Sequence, residues 1–361
     1  MRISIIGFGY IGSVIGAVFS SKGHKVCAID NNHACIDDLN LGICNVPEPE
    51  LKALISYQVK LGNLKGVYDY SDVSRSDVIL VTVGTPLSVN FDADLSAISD
   101  VFRQLAKHVK TDQIIMLKST VPPGVTRQMF DEFFCGREDI YLGYSPERLA
   151  EGKAIQELKN LPIIVGGINE KSTNKCSEFW KSTLGVDVIK MSSTESAELA
   201  KLATNQWIDL NVALANELAM LCDALPYSLD ILEIIEGANS LKKGQHNVNI
   251  LQPSIGVGGY CLTKDPWFLS ALGAKNGVTL QLPKSGRDVN DSMPLNAANT
   301  IKNVLASNEV SPGELKIAIL GYSFKTNSGD VRFSPMETFV EIMFDYGFEN
   351  IYVFDSTIHQ L

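Results

Sequence analysis

Residues 1–30 read MRISIIGFGYIGSVIGAVFSSKGHKVCAID. A short apolar strand leads through a glycine turn and an amphipathic helix to a second strand ending at Asp30. That is a βαβ unit. Its turn, Gly7-Phe8-Gly9-Tyr10-Ile11-Gly12, has the G-x-G-x-x-G spacing. Alone the spacing says little, because glycine turns after strands have many structural causes. Here it comes after a strand, opens a helix and precedes an acid 18 residues past its last glycine. That is the setting a dinucleotide needs. The glycines let backbone N–H groups approach a pyrophosphate at the positive end of the helix, while Asp30 would accept hydrogen bonds from the adenosine ribose. Asn31 and Asn32 come next with no adjacent arginine, so NAD is expected rather than NADP.

Outward from this unit the alternation continues. DVILVTVGTP, QIIMLKST, IYLGYSPE and PIIVGGI are brief β-branched runs, with helical stretches between most of them. They predict an α/β fold with a doubly wound, largely parallel, Rossmann-like sheet to about residue 190. The texture then changes. SSTESAELAKLATNQWIDLNVALANELAMLCDAL has no Gly or Pro and predicts one long helix, with Ser192 and Glu195 as a capping box. Further helix is expected near 229–236, 266–275 and 293–306, giving a central all-helical domain. From about 308 a second βαβ begins, with LKIAILGYSF, a helix near 335–346 and IYVFDS. The expected division is 1–190, 191–306 and 307–361, the last a partial Rossmann-like domain.

Composition narrows the function classes. The 361 residues are 45% hydrophobic and 20% charged, as in a soluble globular protein. A net charge of −10 and a pI near 5.1 argue against nucleic acid or an anionic membrane as partner. Seven scattered cysteines without a C-x-x-C pair argue against a disulfide framework or a metal site. They fit a reducing, cytoplasmic setting. No apolar run approaches 18 residues, and no signal-peptide pattern opens the chain.

Three further stretches carry candidate chemistry. In the long helix Glu198, Lys201 and Asn205 lie on one stripe. The plain reading is a solvated ion-pair face, yet a Lys and an Asn one turn apart could polarise a substrate hydroxyl. SIGVGGYCLTKDPW (254–267) has Gly256, Gly258 and Gly259 to leave backbone bare for close approach to a ligand. Asp265 is the expected N-cap, with Pro266 at the first helical position. Cys261 then sits at a positive helix end that favours the thiolate, a nucleophile rather than a packing residue. Cys222, in the long helix, is expected to pack. KSTVPPG (118–124) and GYSPERLAEG (143–152) lie after strands, at the carboxyl ends where such sheets bind ligands. They offer Thr120, Glu147 and Glu151, whose alternative is a solvated loop.

Together these stretches resemble the UDP-glucose/GDP-mannose dehydrogenase family of nucleotide-sugar 6-dehydrogenases. GFGYIG, VGTP, KSTVPPG, SPERLAEG, ELAKLATN, ANELAMLC, GVGGYCLTKDP and LGYSFKTNSGDVRFSP occur in family order over nearly the whole chain. The resemblance implies four-electron oxidation of a sugar C6 hydroxyl to a carboxylate, with two NAD⁺ per sugar. Cys261 would trap the aldehyde as a thiohemiacetal and pass through a thioester. Lys201 and Asn205 would stabilise the alkoxide, and Asp265 would orient water or Lys201. Thr120 and Glu147 would hold the hydrolytic water. Glu151, with Arg148 and Leu149 beside it, would belong to the substrate loop, as would Gly258. Lys325 and Arg332 would reach substrate, in some members across a subunit boundary. Thr85 and Thr120 would join Gly7, Gly9, Tyr10, Ile11, Gly12 and Asp30 around NAD. The long helix resembles the family's dimerisation helix, implying a homodimer or larger assembly.

SPERLAEGKAIQELKNLPIIVGG, VNILQPSIGVGG, DPWFL and RDVNDSMP resemble the branch acting on UDP-N-acetylhexosamines, notably UDP-N-acetylmannosamine. UDP-glucose and GDP-mannose are alternatives. The family's C-terminal nucleotide-sugar-binding domain normally continues past the strand matching IYVFDS, so a half unit with an exposed sheet edge is expected. Two other readings stay open: an NAD-binding homologue without turnover, and a two-electron β-hydroxyacid-type dehydrogenase, which needs no thiol.

Overall fold

A computed structural model describes residues 1–89, 91–244, 246–308, 310–325 and 328–358, and element counts are of these residues. The chain divides into two compact units, Met1–Leu202 and Ala203–Leu361.

In the first unit β1 (Arg2–Ile6), α1 (Tyr10–Ser21) and β2 (Lys25–Ile29) form the expected βαβ. Next are α2 (His33–Asn40), α3 (Leu51–Lys60), β3 (Leu64–Val67), β4 (Val78–Val81), α4 (Ser96–His108), β5 (Ile114–Leu117) and α5 (Val125–Phe133). After them come β6 (Tyr141–Tyr144), α6 (Ala154–Asn160), β7 (Ile163–Gly167), α7 (Glu170–Leu184) and β8 (Val188–Lys190). The eight strands run in the order β3-β2-β1-β4-β5-β6-β7-β8. All pairs are parallel except β6 with β7.

The period-2 geometry of strands explains why the sheet is covered on both faces. Ile3 and Ile5, Val26 and Ala28, Val78 and Leu80, and Met116 pack into one core with α1, α3 and α7. Their neighbours Ile6, Cys27 and Ile29, Ile79 and Val81, and Ile115 and Leu117 pack into another with α4 and α5. Strands buried on both faces must read as continuous apolar runs, as these do. This α/β layering is the one the sequence predicts.

The long helix is α8 (Thr194–Ala224), 31 residues, whose C-terminal part belongs to the second unit. Its start corrects the expected capping box. Ser193, not Ser192, accepts the Ser196 N–H at 3.2 Å, and the Glu195 carboxylate is taken by the Arg127 guanidinium at 2.6 Å. The second unit continues with α9 (Ile231–Asn239), the short hairpin β9 (Lys242–Lys243) and β10 (His246–Asn247), α10 (Asp265–Lys275) and α11 (Leu282–Ser307). It ends with β11 (Lys316–Leu320), α12 (Pro335–Asp345) and β12 (Asn350–Phe354), the two strands parallel.

Helix α11 begins eleven residues before the expected 293, with Pro294 inside it. A polar network holds the segment before that proline against α8. Arg287 donates to Asp209 at 2.8 Å, Asn290 to Asp209 at 2.9 Å and Asn216 to Asn290 at 3.0 Å, all buried. These tertiary bonds offset the backbone bond that proline cannot make. One small core joins α11 to the last βαβ through Ala298, Ile319, Phe339, Met343 and Phe348. Leu320, Tyr352 and Phe354 on β11 and β12 are exposed apolar side chains.

Candidate active site

In the first unit the glycine turn has the shape a dinucleotide needs. Gly7 has φ +92°, a region that favours glycine. A Cβ on Gly12 would lie 2.2 Å from the Gly7 carbonyl oxygen, so only hydrogen lets α1 start this close to β1. A Cβ on Gly9 would meet no atom within 4 Å, and no side chain caps α1. The first N–H groups of α1 therefore face an open approach, and these residues fit a bound pyrophosphate. Asp30, at the end of β2, accepts from the Phe8 N–H at 2.6 Å and the Asn32 N–H at 2.9 Å. The same carboxylate that would meet the ribose also fixes the turn. Ile11 packs against the core beneath. Thr85 donates its hydroxyl to the Thr120 carbonyl at 2.7 Å, tying the VGTP loop to the KST loop.

Lys118 and Glu147 form an enclosed pair. The Lys118 Nζ donates to the Ser145 carbonyl at 3.0 Å, lies 3.4 Å from a Glu147 oxygen and stands 4.8 Å over the Trp180 ring. Burial pushes the Lys118 ammonium below its usual pKa, against the opposing pull of Glu147. The other Glu147 oxygen accepts the Arg148 N–H at 2.7 Å and the Leu149 N–H at 3.0 Å, which aims the carboxylate from its own loop. The Arg148 guanidinium turns to the Pro162 carbonyl, and Leu149 packs with the first core. Glu151 is half-buried in the same loop.

The stripe on α8 overturns the solvated reading. Glu198 is fully buried, and Lys201 and Asn205 are 6% and 5% exposed. Glu198 accepts from the Gly124 N–H at 2.6 Å and the Thr126 N–H at 2.8 Å, so it closes the N-terminus of α5. Burial raises its pKa against those hydrogen bonds. It is a structural acid within a stripe that looked chemical.

In the second unit Cys261 is exposed, one turn ahead of α10, and its carbonyl accepts from the Asp265 N–H at 3.0 Å. Cys27 and Cys176, by contrast, are buried thiols pushed up to about 12. Cys222 is half-buried in α8. Asp265 is not the N-cap expected of it: Lys264 holds that position, Asp265 is the first residue of α10, and Pro266 is the second. The Asp265 carboxylate is fully buried and spent elsewhere, on the Asn205 amide at 2.5 Å and the Lys264 ammonium at 2.8 Å. Lys264 in turn lies 4.4 Å over the Phe268 ring and 5.3 Å over that of Tyr260. A carboxylate tied on both oxygens fixes the Asn205 amide and the base of the cysteine turn together.

The glycines of this loop also differ from expectation. A Cβ on Gly258 would lie 2.6 Å from Phe324 Cβ and 2.7 Å from the Phe333 carbonyl, and one on Gly259 would lie 2.7 Å from the Phe324 ring. On the side a Cβ would occupy they admit protein: the cysteine loop is packed onto Phe324 and Phe333 of the segment after β11. Arg332, on that segment, pairs with Asp330 at 2.5 Å and stands 5.7 Å over the Tyr260 ring, next in sequence to Cys261. Lys325 is half-buried, and its carbonyl accepts from Ser328 at 3.3 Å.

Sequence reasoning missed Glu48, Lys118 and the Asp209–Arg287–Asn290 network. Lys118 opens KSTVPPG but reads as a surface lysine, and Glu48, in VPEPE, reads as a loop acid. Asn216 receives the Ser254 N–H at 2.7 Å and so positions the start of the cysteine loop. Among the described residues no cluster of three His, Cys, Asp or Glu could hold a metal, and no helix is long and apolar enough to cross a membrane.

Comparison with known proteins agrees with this architecture. Residues 1–184 match the NAD binding domain of the UDP-glucose/GDP-mannose dehydrogenase family, and residues 195–292 match its central domain. UDP-N-acetyl-D-mannosamine dehydrogenase of Pyrococcus horikoshii is 34% identical over 348 residues, 95% of this chain and 81% of that protein. The enzyme of the same name from Escherichia coli K12 is 31% identical over 375 residues, 99% of this chain and 86% of its own. The solved Pyrococcus horikoshii structure superposes with a TM-score of 0.89 at 33% identity, covering 99% of this chain and 84% of that one. A UDP-glucose dehydrogenase structure from Pyrobaculum islandicum gives 0.87 at 25% identity, covering 98% and 81%. The chain belongs to the UDP-glucose/GDP-mannose dehydrogenase family, whose members are NAD-dependent oxidoreductases acting on nucleotide sugars.

Proposed function

We propose that this chain oxidises the C6 hydroxyl of UDP-N-acetylmannosamine, or a related UDP-N-acetylhexosamine, to the carboxylate through a covalent intermediate on Cys261. The observation that carries the reading is the buried Asn205–Asp265–Lys264 network at the base of the turn that presents an exposed Cys261. The sugar is inferred from the names of the related enzymes.

Bound NAD supplies the hydride acceptor for each of the two oxidations. The chain does the rest. The substrate hydroxyl gives up its proton to solvent, and Lys201 and Asn205 stabilise the resulting alkoxide while hydride leaves C6. The Cys261 sulfur adds to the resulting aldehyde carbon, forming a C–S bond and a thiohemiacetal. The second oxidation turns this into a thioester. Water held by Thr120 and Glu147 then attacks the carbonyl, the C–S bond breaks, and carboxylate and thiolate are released while the two protons of the water pass to solvent. Asp265 holds Asn205 in orientation throughout. Glu151, Arg148 and Leu149 serve the substrate loop, and Lys325 and Arg332 the nucleotide sugar. In this reading 1–190 binds NAD, 191–306 supplies catalysis and self-association, and 307–361 contacts the nucleotide sugar, all in the cytoplasm.

Supplying UDP-N-acetylmannosamine, UDP-N-acetylglucosamine, UDP-glucose and GDP-mannose with NAD⁺ tests this. Two NADH per sugar are expected, fastest with the first substrate. Cys261→Ser should cut the overall rate by about 10³-fold or more. A single NADH per sugar, or an undisturbed Cys261→Ser variant, rules the covalent route out.

A homodimer built on α8 accompanies this reading. Trp207, Leu214 and Leu221 are exposed at seven-residue spacing, three apolar side chains along one helix face. Light scattering should give twice the 39.4 kDa chain mass, and Trp207→Glu should return it to the monomer value. A monomeric parent chain would refute the pairing.

A further inference from the structure

The first turn of α1 is fastened to the 147–155 segment, the substrate-loop candidate and the start of α6, by a side chain that no motif points to. Glu48, 7% exposed, lies between α2 and α3. One of its oxygens accepts from the Tyr10 hydroxyl and from the Gly152 N–H at 2.7 Å; the other accepts from the Ile155 N–H at 3.4 Å. Tyr10 is the first residue of α1, immediately after Gly9, and its hydroxyl also accepts from the Gly152 N–H at 3.2 Å. Burial and Glu48 raise the Tyr10 pKa, so the phenol keeps its proton and donates it. Tyr10 and Leu149 pack against the same core.

We propose that Glu48 is a positioning residue that couples the dinucleotide turn to the substrate loop, through Tyr10 on one side and Gly152 and Ile155 on the other. The proposal rests on the reading above in one respect, that Glu147 and Glu151 serve the substrate. A dinucleotide seated on the N–H groups of α1 immobilises the Tyr10 backbone. The side chain of the same residue holds Glu48, which holds the loop bearing both acids. A buried carboxylate bonded to one phenol and two amides has little freedom to move with one partner and not the other. Order in the turn is thereby passed to the loop, and the loop returns it as tighter dinucleotide binding.

Hydrogen–deuterium exchange of the full chain with and without NADH reads this directly, without turnover. NADH should slow exchange in residues 7–13 and also in 147–155. In Glu48→Ala the slowing at 7–13 should persist, while that at 147–155 should fall by about fivefold or more. Glu48→Gln, which can still accept from Gly152, should recover part of it. Tyr10→Phe, which cannot donate to Glu48, should behave like Glu48→Ala and covers the case in which the alanine variant does not fold. A merely structural role would raise exchange of the loop equally with and without NADH. That result, or full NADH-dependent slowing at 147–155 in the variants, overturns the proposal. Absence of slowing at 7–13 in the unmutated protein overturns instead the dinucleotide site on which it stands.

Discussion

The chain contains two βαβ units built on one plan and finished differently. In the first, the Gly7 N–H donates to the Ile29 carbonyl at 2.8 Å and the Phe8 N–H to Asp30 at 2.6 Å. In the last, the Gly321 N–H donates to the Phe354 carbonyl at 2.8 Å and the Tyr322 N–H to Asp355 at 2.8 Å. Gly7 and Gly321 both have positive φ, +92° and +102°. The two units part ways beyond that glycine. After Gly7 the helix begins at Tyr10, uncapped by any side chain. After Gly321 it begins only at Pro335, and Ser334 caps it by accepting the Met336 N–H at 3.2 Å. Phe324 and Phe333, between Gly321 and Pro335, pack on Gly258 and Gly259 of the cysteine loop. One unit leaves its helix end available to a phosphate; the other satisfies its own and uses the connection to brace the cysteine loop.

The largest test of this contrast is Gly12→Ala. Its Cβ would sit 2.2 Å from the Gly7 oxygen, so the start of α1 must move. NADH affinity should fall by about 100-fold, the equivalent of about 3 kcal/mol of overpacking. In the last unit Gly321→Ala, at the position matching Gly7, meets nothing within 4 Å and incurs only backbone strain, about 1–2 kcal/mol of stability, with NADH affinity unchanged. Fluorescence titration and urea unfolding measure the two. Equal losses of NADH affinity in both variants would break the contrast.

A smaller effect is expected at Asp355. It accepts five hydrogen bonds, from Tyr322, Ser323 and Thr357. Partial burial pulls its carboxyl up, but the bonds from Ser323, Thr357 and Tyr322 outweigh this and hold it well below the usual aspartate range. The folded pKa is thus below the unfolded one, near 3.9. Its stabilisation is present above that value and is lost as pH falls through it toward the folded pKa. Asp355→Asn should therefore cost about 1 kcal/mol at pH 7 and measurably less at pH 3, where the unfolded-state carboxyl is mostly protonated. Urea midpoints at pH 7 and pH 3 decide it. A cost that does not shrink on acidification contradicts the assignment.

Much of this was legible in the residue order. Apolar runs of four or five residues separated by helical stretches dictate a sheet covered on both faces, and Ile3 and Ile5 pack opposite Ile6 as alternation requires. The glycine turn was equally plain once its strand, its helix and Asp30 were read with it, whereas Cys261 was singled out by a cap and bare glycines that the structure reassigns. What misled was local: Asp265 looks like a cap, Glu198 like a solvated charge, Gly258 like bare backbone. Each is a polar or small residue whose partner lies far away in sequence. Asn205 is 60 residues from Asp265, Gly124 is 74 from Glu198, and Phe324 closes on Gly258. Sequence by itself determined the βαβ frames and the dinucleotide turn, because these depend on period and on backbone freedom within a few residues. Only the tertiary structure decided which buried charges are structural, and that Glu48 fastens Tyr10 to Gly152. A desolvated polar group must be satisfied by whatever the fold brings to it, and no local pattern names that partner.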